Sequence, residues 1–219
     1  MKYQSITPAT FISRPNRFIA KVNINGEAVV VHVKNTGRCK ELLIPGTKVF
    51  LEKAANPERK TPYDLVSVEK DGKIINIDSQ APNKVVKEWL ESTGEYDKVI
   101  PEYKYGNSKI DFYMEKGDQK YLMEVKGCTL FRNGVGYFPD APTERGAKHL
   151  GELTEALKEG YKTMIAFVIQ GEGISEVRPN ADTDPRFAEA YNAALKRGVE
   201  VLFLTCSVLS DELVINCQG

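Results

Sequence analysis

Apolar and polar residues change their spacing several times along this chain of 219 residues, and each change marks an element. In the first eighty residues short runs alternate with period two, the pattern of half-buried strands, at roughly 17–24, 27–34, 47–53, 63–70 and 73–78. Phe18, Ala20 and Val22 alternate in the first run. Asn25-Gly26 and Asp71-Gly72 are strong hairpin dipeptides, because both residue types tolerate the positive φ of tight turns, and Pro45-Gly46 marks a further turn. Five short strands joined in this way predict an OB-like β-barrel over residues 1–80. Ser79-Gln-Ala-Pro-Asn83 ends the alternation. Beyond it the period becomes helical: Val85, Val86, Trp89 and Leu90 form one stripe of a helix from about Pro82 to Ser92. Ala147, Leu150, Leu153 and Leu157 stripe a second helix, capped by Asp140 or Thr143 and ending near Glu159. Asp184-Pro185 opens a third over 185–197, which Gly198 closes. Residues 127–136 read as a glycine-rich loop, and 163–169, 199–205 and 211–216 as strands. Strand, helix, strand order over 81–219 predicts a mixed sheet flanked by helices, giving a chain of mixed α+β and α/β class.

The densest chemistry lies between Ser108 and Lys126. With Gly117-Asp118 as the two central residues of a hairpin turn, paired positions sum to 235 and Asp111 falls opposite Glu124. Two opposed carboxylates roughly 5 Å apart repel, so the pair asks for a cation between them. Lys126 shares the face of Glu124, whereas Ile110, Phe112, Met114, Tyr121, Met123 and Val125 make the other face apolar. A bulge or a longer turn would slip this register and separate the acids. Paired oxygen ligands suit Mg²⁺ or Mn²⁺, with the Val125 carbonyl as a further donor and Lys126 orienting a water or stabilising phosphate charge. Zinc does not fit, since His32 and His149 are the only histidines and Cys39, Cys128, Cys206 and Cys217 lack paired spacing. Asp111 followed thirteen positions later by Glu124-x-Lys126 is the hairpin form of the PD-(D/E)xK nuclease signature. Pro139-Asp140 lies after this element and cannot supply its first acid. An ordinary solvated hairpin face is the competing account of the same residues.

Charge adds a division that the zero net charge conceals. Residues 1–80 carry 13 Lys and Arg against 8 Asp and Glu, a net of +5, which leaves 17 against 22, a net of −5, for the remainder. A basic barrel beside an acidic module fits a polyanion-binding protein. Arg14, Arg17, Lys21, Lys34, Arg38 and Lys40 are its candidate phosphate contacts, and Asn35-Thr-Gly-Arg38 its candidate backbone anion cradle. His32, inside an apolar alternation, reads as a packed histidine. Arg145, Lys148 and His149 sit near a helix start, where positive charge opposes the helix dipole; phosphate contact explains them better, with Arg145 and Lys148 as substrate clamps. Glu88 and Glu91 on the first helix and Glu102 before the hairpin compete for the role of a further acid. No apolar run spans a bilayer and no signal-peptide core follows Met1, which places the protein in the cytoplasm with reduced, packed thiols. No repeat or Walker-type loop is present, and the oligomeric state is not encoded legibly.

Several longer strings carry a resemblance: Arg14-x-x-Arg17-Phe, Val31-His-Val-Lys-Asn-Thr-Gly-Arg38, Leu43-Ile-Pro-Gly46, Ser108-Lys-Ile-Asp-Phe112, Glu124-Val-Lys-Gly127 and Phe138-Pro-Asp-Ala-Pro-Thr-Glu-Arg-Gly-Ala-Lys-His-Leu150. Through them the chain resembles the sugar fermentation stimulation protein A family over nearly its whole length. The resemblance implies an N-terminal OB-fold barrel followed by a PD-(D/E)xK nuclease-like domain, binding to DNA without sequence preference, and a helix at 143–159 beside the metal site. Two functions follow as expectations. The first is a DNA-binding protein with a Mg²⁺-dependent phosphodiester-cleaving site at Asp111, Glu124 and Lys126, that is, a deoxyribonuclease. The alternative is a DNA-binding regulator of sugar, particularly maltose, metabolism that cuts nothing. A small-ligand effector of sugar metabolism has no supporting pocket motif in the sequence.

Overall fold

The computed structural model describes residues 1–35 and 37–216. Its first third forms β1 (Ile6–Asn16), β2 (Ile19–Ile24), β3 (Glu27–Val33), β4 (Lys48–Lys53), β5 (Tyr63–Lys70) and β6 (Lys73–Asn76). These strands bond in the order β3-β2-β1-β4-β5-β6, and parallel pairing of His32 with Asp64 and Val33 with Leu65 returns β3 to β5. The closed ring is therefore β1-β2-β3-β5-β4, a five-stranded OB-like barrel with no free edge, and β6 lies outside it as an appendage of β5. Ala20, Val22, Val31, Val49, Leu51, Leu65 and Val68 fill the interior and are fully buried. The strand count agrees with the sequence reading, but its membership does not: β1 takes the place given to 73–78. Pro8 and Pro15 disguised β1, which accommodates the second of them by shifting register after Phe11 and again after Ser13.

The remainder forms α1 (Ala81–Thr93), β7 (Lys98–Tyr105), β8 (Ser108–Lys116), β9 (Gln119–Cys128), β10 (Leu130–Arg132), β11 (Val135–Phe138), α2 (Glu144–Lys158), β12 (Lys162–Ile169), β13 (Val177–Pro179), α3 (Pro185–Lys196), β14 (Glu200–Val208) and β15 (Leu213–Ile215). The main sheet runs β15-β14-β12-β9-β8-β7 and is mixed, with β12 parallel to both β9 and β14. On one face Val85, Val86 and Leu90 of α1 pack on Phe112, Met123 and Val125; on the other, Leu150 and Leu153 of α2 and Phe187 of α3 pack on Leu122, Ile165 and Phe167. Both faces of the β8-β9 hairpin are thus buried along most of their length. Thr143 Oγ1 caps α2 by accepting from Gly146 N–H at 3.1 Å, Asp184 Oδ1 caps α3 by accepting from Phe187 N–H at 2.9 Å, and Asp184 Oδ2 accepts from Thr143 N–H at 2.7 Å, which ties the two helix starts together.

The expected loop at 127–136 is instead the end of β9 and a hairpin of β10 and β11, closed by Asn133 and Gly134 at φ +50° and +78°. Its strands are too short to show alternation. The barrel and the second unit meet through Gln170, whose Nε2 donates to Asn76 Oδ1 at 2.8 Å while its backbone carbonyl accepts from Asn76 N–H at 2.9 Å. They meet again where Arg38 N–H donates to Asp140 Oδ2 at 3.0 Å. Residues 1–3 leave the barrel to pair beside β15, with Lys2 bridged to Glu212. Among the described residues no helix is long and apolar enough to cross a membrane.

Candidate functional site

The hairpin turn sets the geometry of the site. Gly117 at φ +56° lets Lys116 pair with Gln119, and the register continues through Phe112 opposite Met123, every pair summing to 235. Asp111 and Glu124 come next, and there the ladder stops. Asp111 Oδ2 accepts from Val125 N–H at 2.8 Å, and Asn83 Nδ2 of α1 donates to Oδ1 at 2.7 Å. On the far side of β8, Glu102 adopts φ +51° between the pairs Pro101–Phe112 and Tyr103–Ile110. Alternation breaks at this level: Ile110 packs with Tyr113 and Leu122 beneath α2, whereas Phe112 packs beneath α1. The single apolar face expected to hold both Ile110 and Phe112 is corrected accordingly. The kink is what turns Asp111 toward α1.

Glu124 is buried, yet it is charged in a matched environment. Its Oε1 accepts from Lys126 Nζ and from His149 Nδ1. Arg145 Nε donates to His149 Nε2 at 3.3 Å, and a guanidinium can only donate, so Nε2 is the acceptor and the imidazole carries its proton on Nδ1. Burial opposes ionisation of Glu124, but the His149 hydrogen bond and the Lys126 charge outweigh it and hold the carboxyl below its ordinary value. Asp111 moves the opposite way. Burial and the Glu124 charge raise it, against the pull of Lys126, Val125 N–H and Asn83. Glu124 Oε2 is buried without a hydrogen-bond partner.

A cavity of about 710 Å³ opens over these groups between the N-terminal turns of α1 and α2; Asn83 and Lys84 line one side, Thr143 and Arg145 the other, and Asp111, Glu124, Val125 and Lys126 the floor. Two helix N-termini thus border one cavity, a setting that favours anions. Glu102 reaches its rim, with its exposed carboxylate 3.0 Å from Lys109 Nζ. Glu88 does not reach it: that side chain pairs with the Met1 ammonium at 2.7 Å. Lys148 also stands outside, donating to Ser108 Oγ at 2.8 Å. Among the described residues no group of three or more His, Cys, Asp or Glu side chains surrounds a common point, so the acidic donors here are Asp111 and Glu124.

The barrel's basic residues divide. Arg14 is turned inward on the backbone: Nη1 donates to the carbonyls of Gly37 (2.8 Å) and Arg38 (2.9 Å), and Nη2 to those of Arg17 (2.7 Å) and Asn35 (2.5 Å). Lys34 is largely buried among Glu52, Asp64 and Asp78 at 3.2–3.7 Å. Arg17, Arg38, Lys21 and Lys40 remain exposed. His32 bonds Asp64 at 2.9 Å. Cys39, Cys128 and Cys206 are buried free thiols that burial pushes up to about 12, while Cys217 lies outside the described residues. Asn83 and Lys84 are the site residues that sequence reasoning did not assign, and His149, grouped there with the phosphate contacts, is instead buried against Glu124. The signal for His149 was its place four residues after Arg145, one turn along the same helix face.

Residues 12–77 match the SfsA N-terminal OB domain, and residues 80–212 match the sugar fermentation stimulation protein RE domain. The sugar fermentation stimulation protein homolog of Desulfitobacterium hafniense is 50% identical over 215 residues, covering 97% of this chain and 94% of that protein. That of Ruminiclostridium cellulolyticum is 50% identical over 221 residues, covering 100% and 98%. The solved structure of Pyrococcus furiosus SfsA in complex with Ca²⁺ superposes with a TM-score of 0.87 at 30% identity, covering 99% of this chain and 95% of that one. The chain belongs to the sugar fermentation stimulation protein family.

Proposed function

We propose that this protein binds DNA without sequence preference and cleaves phosphodiester bonds with a divalent metal, Mg²⁺ or Mn²⁺, held by Asp111 and Glu124. The observation that carries the reading is Glu124 Oε2, a buried carboxylate oxygen with no partner, in a cavity that also presents Asp111. A hard cation fits this set, since every donor is an oxygen and Glu124 Oε2 is a buried acceptor that no protein group satisfies. The solved relative is a complex with Ca²⁺, another oxygen-seeking cation, which supports the same donor chemistry here. When bound, such an ion would acidify a water and polarise phosphate oxygens.

The chain's own residues would do the rest. His149 and Lys126 hold Glu124 by Oε1, which fixes the carboxylate plane and leaves Oε2 available. Asn83 and Val125 N–H fix Asp111 in the same way. Lys126, beside both acids, is placed to orient the attacking water or to neutralise charge as the phosphate becomes more negative. The first turns of α1 and α2, with Lys84 and Arg145, favour phosphate in the cavity. Arg17 and Arg38 of the barrel supply salt-sensitive backbone contacts.

The test is to incubate supercoiled plasmid, linear duplex and single strands with Mg²⁺ or Mn²⁺ beside Asp111→Ala and Lys126→Ala. Cleavage by wild type that both variants lose supports the proposal. DNA binding that weakens with salt, without any cutting, would leave a non-catalytic DNA-binding regulator.

A further inference from the structure

The cavity over the two acids continues toward the barrel. A second cavity, of about 420 Å³, shares Ser79, Phe138 and Thr143 with the first and runs on to Gly37 and Arg17. Its described lining carries only two charged groups, Arg17 at the barrel end and Asp140. The remainder is amide, hydroxyl and apolar surface, which suits the edge and face of a base better than a phosphate. Its volume is that of a small-molecule pocket, enough for one unpaired base and far too small for a paired helix. The Gly37–Arg38 loop closes the space on the barrel side. Arg38 N–H is bonded to Asp140, and a Cβ on Gly37 would lie 2.1 Å from Asp140 Oδ2, so the loop and Asp140 are already in close contact.

At the barrel end, the turn between β1 and β2 places Arg17 over the ring of Phe18 at 4.7 Å, and Phe18 is 45% exposed. A large aromatic left in solvent beside an arginine serves no packing purpose in the barrel. It is the equipment with which single-strand binders stack bases, and the loop after the first OB strand is a habitual oligonucleotide contact.

From these observations we infer that the substrate is single-stranded DNA, which crosses the β1–β2 turn with a base stacked on Phe18, lodges an unpaired base in the cavity behind Arg17, and so reaches Asp111 and Glu124. This deepens the function proposed above and rests on it for the cutting step, but not for binding. Arg17 contacts the backbone, while Asp140 accepts from base amino or imino groups.

The experiment is fluorescence anisotropy in EDTA, with a labelled single strand of roughly 12 nucleotides and its blunt duplex, a length within the range of one OB fold. Wild type binds the single strand more tightly than the duplex. Phe18→Ala weakens single-strand binding by about ten-fold or more, as expected for one lost base stack, and Phe18→Trp retains it. Unchanged circular dichroism shows that both variants are folded. Equal affinity for single strand and duplex, or Phe18→Ala binding as wild type does, overturns the inference; so does a Phe18→Trp protein that binds no better than Phe18→Ala. Because metal is absent, a protein that shows the predicted single-strand preference but cuts nothing with Mn²⁺ upholds the groove and removes only the cleavage reading.

Discussion

Replacing Arg14 with lysine keeps the charge and removes the fork. Arg14 spans four carbonyl oxygens at 2.5–2.9 Å, two from each terminal nitrogen, and thereby pins residues 35, 37 and 38 to the β1–β2 turn. A lysine ammonium is a single point with three donors and cannot serve both pairs. With three donors against four carbonyls at least one bond is lost, and the rest lose their paired geometry. Hydrogen bonds from a charged donor contribute about 1.5–3 kcal/mol each, but these carbonyls lie near the surface and water replaces part of that. A net loss of about 2 kcal/mol follows, equivalent to a fall in Tm of roughly 4–8 °C for a chain of this size. Thermal unfolding followed by circular dichroism measures it. DNA affinity of the folded variant should keep the wild-type dependence on salt, because no phosphate contact is removed. A variant that melts with wild type yet binds DNA more weakly, with a shallower salt slope, would refute the reasoning and make Arg14 a phosphate contact.

Other perturbations probe different parts of the account. His149→Phe removes the donor that orients Glu124 and should weaken Mn²⁺ binding about 10- to 100-fold in a protein that remains folded, read by titration calorimetry. Asp64 is buried, but Arg59, His32 and Lys34 overcome that and hold its carboxyl at about 2. Its folded value lies below the unfolded one, so its contribution of about 2 kcal/mol is complete above pH 4 and disappears as pH falls from 4 to 2; urea unfolding of Asp64→Asn should differ from wild type at pH 7 and converge with it near pH 2. Gly37→Ala puts a Cβ where Asp140 Oδ2 now lies, so the carboxylate must move off Arg38 N–H; it should cost about 1–3 kcal/mol, with faster proteolysis at the junction between barrel and second unit.

Much of the fold was legible where two signals coincided. Gly117-Asp118 with alternation on both sides gave the register of the site, because a two-residue turn leaves no freedom in pairing. Asp184-Pro185 marked the start of α3 by cap chemistry that is wholly local, and of the two cap candidates for α2, Asp140 and Thr143, it is Thr143 that caps. Strands β1 and β7 were illegible for a shared reason: each contains proline, and each tolerates it through context that sequence does not display. β1 bulges, whereas Pro101 lies on β7, the edge of its sheet. Within the site, residue types and spacing located the acids but not their orientation. The φ of +51° at Glu102 and the change of face at Asp111 are products of β7 pairing with β8, a tertiary event. Basic composition likewise counted Arg14 and Lys34 as surface, although one staples backbone and the other sits among buried Asp64 and Asp78 and half-buried Glu52.

The central claim is that Asp111 and Glu124 form one metal site, and its most direct test is a calorimetric titration of Mn²⁺ into wild type, Asp111→Asn, Glu124→Gln and Lys126→Met. Wild type should bind one ion per chain, either carboxylate substitution should abolish binding, and Lys126→Met should retain it. Mn²⁺ binding unchanged in Glu124→Gln would contradict the claim.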